Sequence, residues 1–490
     1  MNNNKFIQKN IFLLSWMFFL IGIRMNAFAQ DQKTKPNVLW ILIENIGPEF
    51  SCYDYPNVHT PNMDELASEG AIYKNAFTNA PVCSPSRSSM ITGMYPNAIG
   101  MHHHRSSVEL PDRIKTIPEL FRKAGYYTSL GNGYRAKKDY NFPTKDRTLW
   151  DGNDWKNRDE DQPFFAQLTI NHSHRGDHWH NPYHPKSWMH EKYKDKLKPV
   201  DPGKVELPQV IPDNIYTRDD WAKYLNQIQV VDVVVGNIID RLKEDGLYDN
   251  TLIVLMGDNG RDHLMDEYWL YDGGIHVPLI IRWKGEIAPN TVNKDLVSGV
   301  DISVSLLNAC KISIPGYMHG KPFLGENAKE REYIYASRDR IDDAYDMVRC
   351  VRGKKFKYIR NFMPDRSYAQ HRSWLMTVNP GYPMIKYMAE HEPEQLNPVQ
   401  KKYTADKKPV EELYDITKDP GELYNLADDP AYRDELQKFR TLLKDWMLTI
   451  DDKARLREKP ENVRQDSFLD QIEFPDRKEL YEPSELDDSK

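Results

Sequence analysis

The sequence predicts an α/β protein: a large domain whose mostly parallel central sheet is flanked by helices, then a smaller C-terminal α+β domain with a short antiparallel sheet. Three observations predict it. Residues 37–44 (NVLWILIE), 164–170 (FFAQLTI) and 252–256 (LIVLM) are near-continuous apolar runs, the pattern of strands buried on both faces. They alternate with capped or amphipathic helical segments, as βα units around a parallel sheet require. After about Phe323 the runs shorten and turns multiply, which marks a different architecture.

The first element is the strand at 37–44. Thr60-Pro61-Asn62 then opens a helix that Gly70 ends. Residues 116–124 (TIPELFRKA) form a second capped helix, closed by Gly125 before the strand-like YYTSLG. The strand at 164–170 follows, then a long amphipathic helix over 221–245 stopped by Gly246. Strands at 252–256 and 278–281 complete the large sheet. Residues 333–337, 347–352 and 355–360 are short strands, and 430–448 is an amphipathic helix. The charged, Pro-containing stretch 451–490 reads as an extended strap or frayed tail. The expected division is 1–29 leader, 30–330 catalytic domain, 331–450 C-terminal α+β domain and 451–490 tail.

Composition limits the function classes. A chain of 490 residues with 28 Tyr, 17 Phe and 11 Trp can fill a large core, and its four cysteines exclude a disulfide-dense scaffold. With 66 basic and 73 acidic residues the net charge is −7, which argues against a nucleic-acid partner. At the N-terminus Lys5 and Lys9 precede an apolar run at 11–23, and Ala27-Phe28-Ala29 has the form of a cleavage site. That is a signal peptide, its apolar run too short for a membrane span. The expectation is a periplasmic or secreted protein with no membrane anchor.

The informative segment is 79–93, NAPVCSPSRSSMITG. Ser84 is read as a helix cap, with Pro85 in the first turn and the helix continuing to Thr92. Cys83 then sits at a helix N-terminus, where free N–H groups favour an anion. Arg87, one turn on, presents a planar fork to an oxyanion. Asp258-Asn259-Gly260, directly after an apolar strand, reads by itself as a turn, though it falls at a strand end, where α/β proteins place their sites.

C-S-P-S-R followed by S-S-M-I-T-G resembles the signature of the type I, formylglycine-dependent sulfatases, and the resemblance runs from about residue 36 to 448. It implies that Cys83 is oxidised to 3-oxoalanine (formylglycine), whose hydrated aldehyde is the nucleophile, by a formylglycine-generating or anaerobic sulfatase-maturating enzyme. It implies a Ca²⁺ site built from Glu44, Asn45, Cys83, Asp258 and Asn259. It also places Lys137 in the sulfate-binding lysine's role, Asp139 where a histidine base is common, and His172 as the general acid. His103 and Arg105 become neighbours of the pocket, while Arg338 and Arg340, with Asp342 and Asp343 close by, either line the substrate cleft or form a salt-linked turn.

Two departures stand out. Asn45 falls where the family usually has an aspartate, which implies weaker Ca²⁺ binding. Glu267 falls where relatives usually carry a sulfate-contacting lysine: either it faces the sulfate and the pocket compensates elsewhere, or, the preferred reading, it pairs with a basic neighbour or grips a sugar hydroxyl. His172/His174 and His178/His180 have the H-x-H form of zinc ligands, but a sugar-gripping loop is the preferred reading, with Trp179, Tyr183 and Trp188 offering ring faces. The implied activity is hydrolysis of sulfate esters on a sulfated carbohydrate, an algal polysaccharide such as ulvan or a glycosaminoglycan. The competing readings are a phosphatase or phosphonate monoester hydrolase of the same superfamily and a catalytically impaired glycan-binding homologue.

Overall fold

The first apolar run forms β1 (Asn37–Ile43), every residue of which is buried. β2 (Ala71–Phe77), β3 (Tyr127–Leu130), β4 (Phe164–Ile170), β5 (Thr251–Gly257), β6 (His276–Val277), β7 (Leu279–Arg282) and β8 (Thr291–Ser298) join it in one sheet. The order is β3-β4-β1-β5-β7-β2-β6, with β8 paired to β2. β1 runs parallel to both β4 and β5, and β3 parallel to β4. β7 is antiparallel to β5 and β2, and β6 to β2, so the sheet is mostly parallel. A separate antiparallel sheet, ordered β12-β11-β10-β9, is formed by β9 (Ile334–Arg338), β10 (Val348–Arg352), β11 (Phe356–Asn361) and β12 (Glu411–Asp415).

The structure is a computed structural model and describes residues 35–133, 135–145, 147–175, 192–464, 471–476 and 479–480. The leader, His178, His180, Trp179, Tyr183, Trp188 and most of 465–490 lie outside the described residues. Asn37–Lys490 is one compact unit. Among the described residues no helix is long and apolar enough to cross a membrane.

Register sets the working edge. Ile43 at the end of β1 lies opposite Ile170 of β4 and Gly257 of β5. The residues that follow these three strands therefore leave the sheet at one level. Backbone bonds hold them there: Glu44 N–H donates to Ile170 O (3.0 Å), Asp258 N–H to Ile43 O (2.9 Å) and Ile46 N–H to Asn259 O (3.1 Å).

The long helix spans Ile215–Glu244, beginning earlier than periodicity implies because Asn214 caps it and forms a capping box with Thr217. The described part of the tail is a strap. Asp452 and Glu458 are buried and receive Arg349 (2.6 Å) and Arg340 (2.5 Å).

A buried ion network ties the small sheet to the helical turn Asp272–Ile275 that leads into β6. Lys357 of β11, with no exposed side-chain surface, meets Asp272 (2.9 Å) and Glu422 (2.7 Å), and Arg352 of β10 meets Asp272 (3.0 Å). Removing one member of a buried pair costs about 3–5 kcal/mol. Lys357→Met is expected to lower stability by about that amount at pH 8, read from denaturant unfolding. Burial pushes the Glu422 carboxyl up to about 7. Below that pH it takes up a proton and loses the charge that needed Lys357, so the cost should shrink as pH falls. A cost independent of pH would reject this account.

Candidate active site

Cys83 is the first residue of the helix Cys83–Thr92, which Val82 precedes in extended conformation and Gly93 closes at φ 65°. The helix thus starts two residues earlier than expected, and Ser84 is not its cap. The Ser84 hydroxyl instead accepts from the backbone N–H of Arg105 (2.9 Å), which fixes that residue at the site. Cys83 is 5% exposed. Burial pushes its thiol well up; Lys137 opposes this, while Asp258, Asp139 and Glu267 add to it. A thiol held protonated is a poor nucleophile.

Around Cys83 the three strand ends deliver oxygen atoms. Glu44, Asn45, Asp258 and Asn259 are all buried. Asn45 adopts φ 49°, a left-handed conformation that Asn and Asp reach more readily than other side-chain-bearing residues. Its backbone N–H donates to Asp258 Oδ1 (3.1 Å), and its Oδ1 accepts from Cys83 Sγ (3.6 Å). Asn259 Oδ1 is buried with no hydrogen-bond partner, while its Nδ2 donates to Gly260 O. A buried amide oxygen without a donor is costly unless a cation or water meets it. Among the described residues no group of three or more His, Cys, Asp and Glu is arranged to hold a metal. The set here mixes carboxylates with amides, and such oxygen donors fit a hard ion such as Ca²⁺ rather than zinc.

Arg87 braces this set. Its Nε donates to Asp258 Oδ2 (2.8 Å), one terminal nitrogen to Thr169 Oγ1 (3.1 Å) and the other to Glu44 Oε1 (3.3 Å). Every guanidinium nitrogen has a protein partner, so Arg87 positions the donors. Lys137 meets Glu44 (2.8 Å) and Asp139 (3.4 Å), and Asp139 also meets Arg464 (3.3 Å). Burial opposes the charge on Asp139, but Lys137, Arg87, His104 and Arg464 hold its carboxyl well below the usual range. Burial likewise opposes charge on Glu44, which Lys137 and Arg87 hold below its ordinary value.

A cavity of about 350 Å³ opens beside Glu44 and is lined in part by Arg105, Arg135, Lys137, His174 and Trp374. Its size suits a sugar unit. His172 is buried in the turn after β4, where the neighbouring Ser173 hydroxyl donates to Glu44 O. Thr169 and Trp374 escaped the sequence reading because neither sits in a recognisable motif, and Arg135 because the segment around it pointed only to Lys137 and Asp139. Trp374 comes from the helix Ser373–Val378, in a stretch with no strong periodicity.

Three expected substrate contacts are placed differently. Arg338 meets Asp346 (3.1 Å), Gln370 (3.1 Å) and Tyr268 O (3.2 Å), with its guanidinium over the Trp269 ring. Arg340 grips both Glu458 oxygens and the carbonyls of Asp342 and His104. Both are buried and ion-paired, the arrangement of a salt-linked turn rather than of open cleft walls. His103 is buried too, accepting from Arg340 N–H (3.1 Å). Burial pushes its pKa well down, with His102 and Arg340 adding to the effect. Glu267 has no basic ion-pair partner among the described residues. It accepts from Asn45 Nδ2 (2.8 Å). Burial pushes its carboxyl well up, with Asp262, Asp258 and Asp342 adding to the effect.

A Sulfatase family profile matches residues 36–312, and an N-sulphoglucosamine sulphohydrolase C-terminal profile matches residues 260–373. An ulvan-active sulfatase of Formosa agariphila is 32% identical over 93% of this chain and 84% of its own length. The N-sulphoglucosamine sulphohydrolase of Homo sapiens is 25% identical over 84% of this chain and 89% of its own. A solved structure in complex with its substrate D-glucosamine-2-N,6-O-disulfate has a TM-score of 0.61 at 16% identity, covering 85% of this chain and 98% of that one, a likeness of fold.

Proposed function

Since the chain belongs to the sulfatase family and is a sulfuric ester hydrolase, we propose that it desulfates a polysaccharide or oligosaccharide through an oxidised Cys83. The observation that carries this reading is the convergence of an orphaned amide oxygen, buried carboxylates and the cations Arg87 and Lys137 on a cysteine whose thiol is held protonated. The aldehyde that a maturating enzyme would make from Cys83 supplies, when hydrated, an oxygen nucleophile that the thiol is not. Glu44, Asn45, Asp258 and Asn259 would hold Ca²⁺, which supplies Lewis-acid stabilisation of charge on sulfuryl oxygens.

The chain's own residues do the rest. Lys137 and Arg105, at the cavity wall, bind the sulfate anion and orient it toward the helix N-terminus. His172 holds the proton that the departing sugar oxygen takes. Asp139, so firmly ionised, is a weak base, and its part is to hold Lys137 in place. Trp374 gives the sugar ring an apolar wall. The first relative's name and the second's point to an ulvan-like polysaccharide or a glycosaminoglycan as substrate. The leader read at 1–29 would take the protein to the periplasm or medium, where such polymers are met.

The test is a desulfation panel with matured protein: ulvan oligosaccharides, N- and O-sulfated glucosamine, an aryl sulfate, and aryl phosphate and phosphonate controls. Sulfate release from at least one saccharide is expected, lost on chelation and restored by Ca²⁺. Release of phosphate or phosphonate alone would favour the related hydrolases. Binding without any release would make this a glycan-binding homologue.

A further inference from the structure

Asn45 and Glu267, two of the departures from the family's pattern, meet in space: Asn45 Nδ2 donates to Glu267 Oε2 at 2.8 Å. We propose that Glu267 is a positioning residue of the cation site, turning the Asn45 amide so that its oxygen faces Cys83 and the cation, and returning the negative charge that an amide at position 45 lacks. The inference rests on the reading of residues 44, 45, 258 and 259 as a Ca²⁺ site.

The physical need is simple. An aspartate presents oxygen whichever way it is turned, but an asparagine presents either oxygen or an NH₂ group. An ionised carboxylate, the form that a neighbouring cation favours, can only accept, so at position 267 it selects the NH₂ and leaves Oδ1 for the other side. That oxygen is the one Cys83 Sγ approaches at 3.6 Å. A lysine at 267 would donate and turn the amide over, presenting its NH₂ to the cation. The two departures are therefore one exchange, and each is harmful without the other.

Burial and backbone strain agree. Glu267 is 3% exposed and makes no ion pair among the described residues. A buried carboxylate with a single amide donor is poorly compensated unless a cation lies close by. The loop is also held inward: Tyr268 N–H donates to Pro81 O (2.9 Å), and Tyr268 itself takes φ 78°, a left-handed conformation unfavourable for so bulky a residue.

The experiment is calorimetric titration of Ca²⁺ into chelator-stripped full-length protein, with melting curves in chelator and in Ca²⁺. It covers wild type, Glu267→Gln, Glu267→Lys, Asn45→Asp and the double variant Asn45→Asp/Glu267→Lys. Supporting groups behind metal ligands govern about 10–100-fold in affinity. Glu267→Gln should therefore weaken Ca²⁺ about tenfold or more and shrink the Ca²⁺-induced rise in Tm. Its Tm in chelator should not fall, because glutamine keeps an acceptor for Asn45 and removes a buried charge. Glu267→Lys should bind Ca²⁺ more weakly still, and adding Asn45→Asp should recover most of the loss. Wild-type affinity in Glu267→Gln, or a double variant no better than Glu267→Lys, overturns the inference alone. A wild-type protein that binds no Ca²⁺ overturns the cation site with it.

Discussion

Cys83→Ala is expected to yield a folded protein whose turnover is lower on the order of 10⁴-fold or more, as when a covalent nucleophile is removed. The side chain lost is small, and the helix it begins is held elsewhere. Ser88 and Thr92 bond back to Ser84 and Ser88 carbonyls, and Ser86 to Asp258 O. The melting temperature should therefore change little while chemistry disappears. The same reasoning predicts that activity follows the oxidised fraction. With its thiol pushed up by burial, an unmodified Cys83 has no thiolate to offer and no second hydroxyl to expel sulfate. Mass spectrometry of the peptide containing Cys83, across preparations made with and without a maturating enzyme, should show turnover proportional to the aldehyde form. Full activity in a preparation containing only the thiol would defeat the mechanism.

The sequence carried the parts of this molecule that one-dimensional signals can encode. Strands β1, β4 and β5 are apolar on both faces, so their runs stand out, and their common register then delivers the residues after each to one edge. The compact C-S-P-S-R motif carried Cys83 and Arg87 with it. Positions decided by distant partners did not show. Edge strand β8 is half exposed and rich in polar residues, and the β12 segment EELYD reads as a polar turn until Arg440, Lys402 and three tyrosines satisfy its acids. Arg338 and Arg340 sit in a charged stretch that resembles a substrate cleft, yet Asp346, on the approach to the next strand, and Glu458, far along the chain, claim them. Charge in a sequence is visible, but what neutralises it is a property of the fold.

Arg87 shows the same rule at the centre of the site, and replacing it is expected to cost both stability and rate. Asp258 and Glu44 are 0% and 2% exposed, and Arg87 meets both; Lys137 pairs directly with Glu44 and acts on Asp258 only at longer range. Arg87→Met leaves Asp258 buried without its cation, and breaking such a pair costs about 3–5 kcal/mol. In chelator the loss should appear in full as a lower denaturant midpoint. In Ca²⁺ it should shrink, because a divalent ion among the same oxygens replaces the missing charge. The Ca²⁺-induced stabilisation is thus expected to be larger than in wild type, opposite in sign to the change expected for Glu267→Gln. Turnover should stay down about 10²-fold or more even in Ca²⁺, since a bound ion restores charge but not the fork that fixes Asp258, Thr169 and Glu44 together. Arg87→Lys separates charge from geometry: it should keep more stability than Arg87→Met in chelator and still lose most of the rate, because an ammonium cannot span three acceptors as a planar guanidinium does. Near-wild-type turnover in Arg87→Lys would mean that charge alone is what the site takes from this residue.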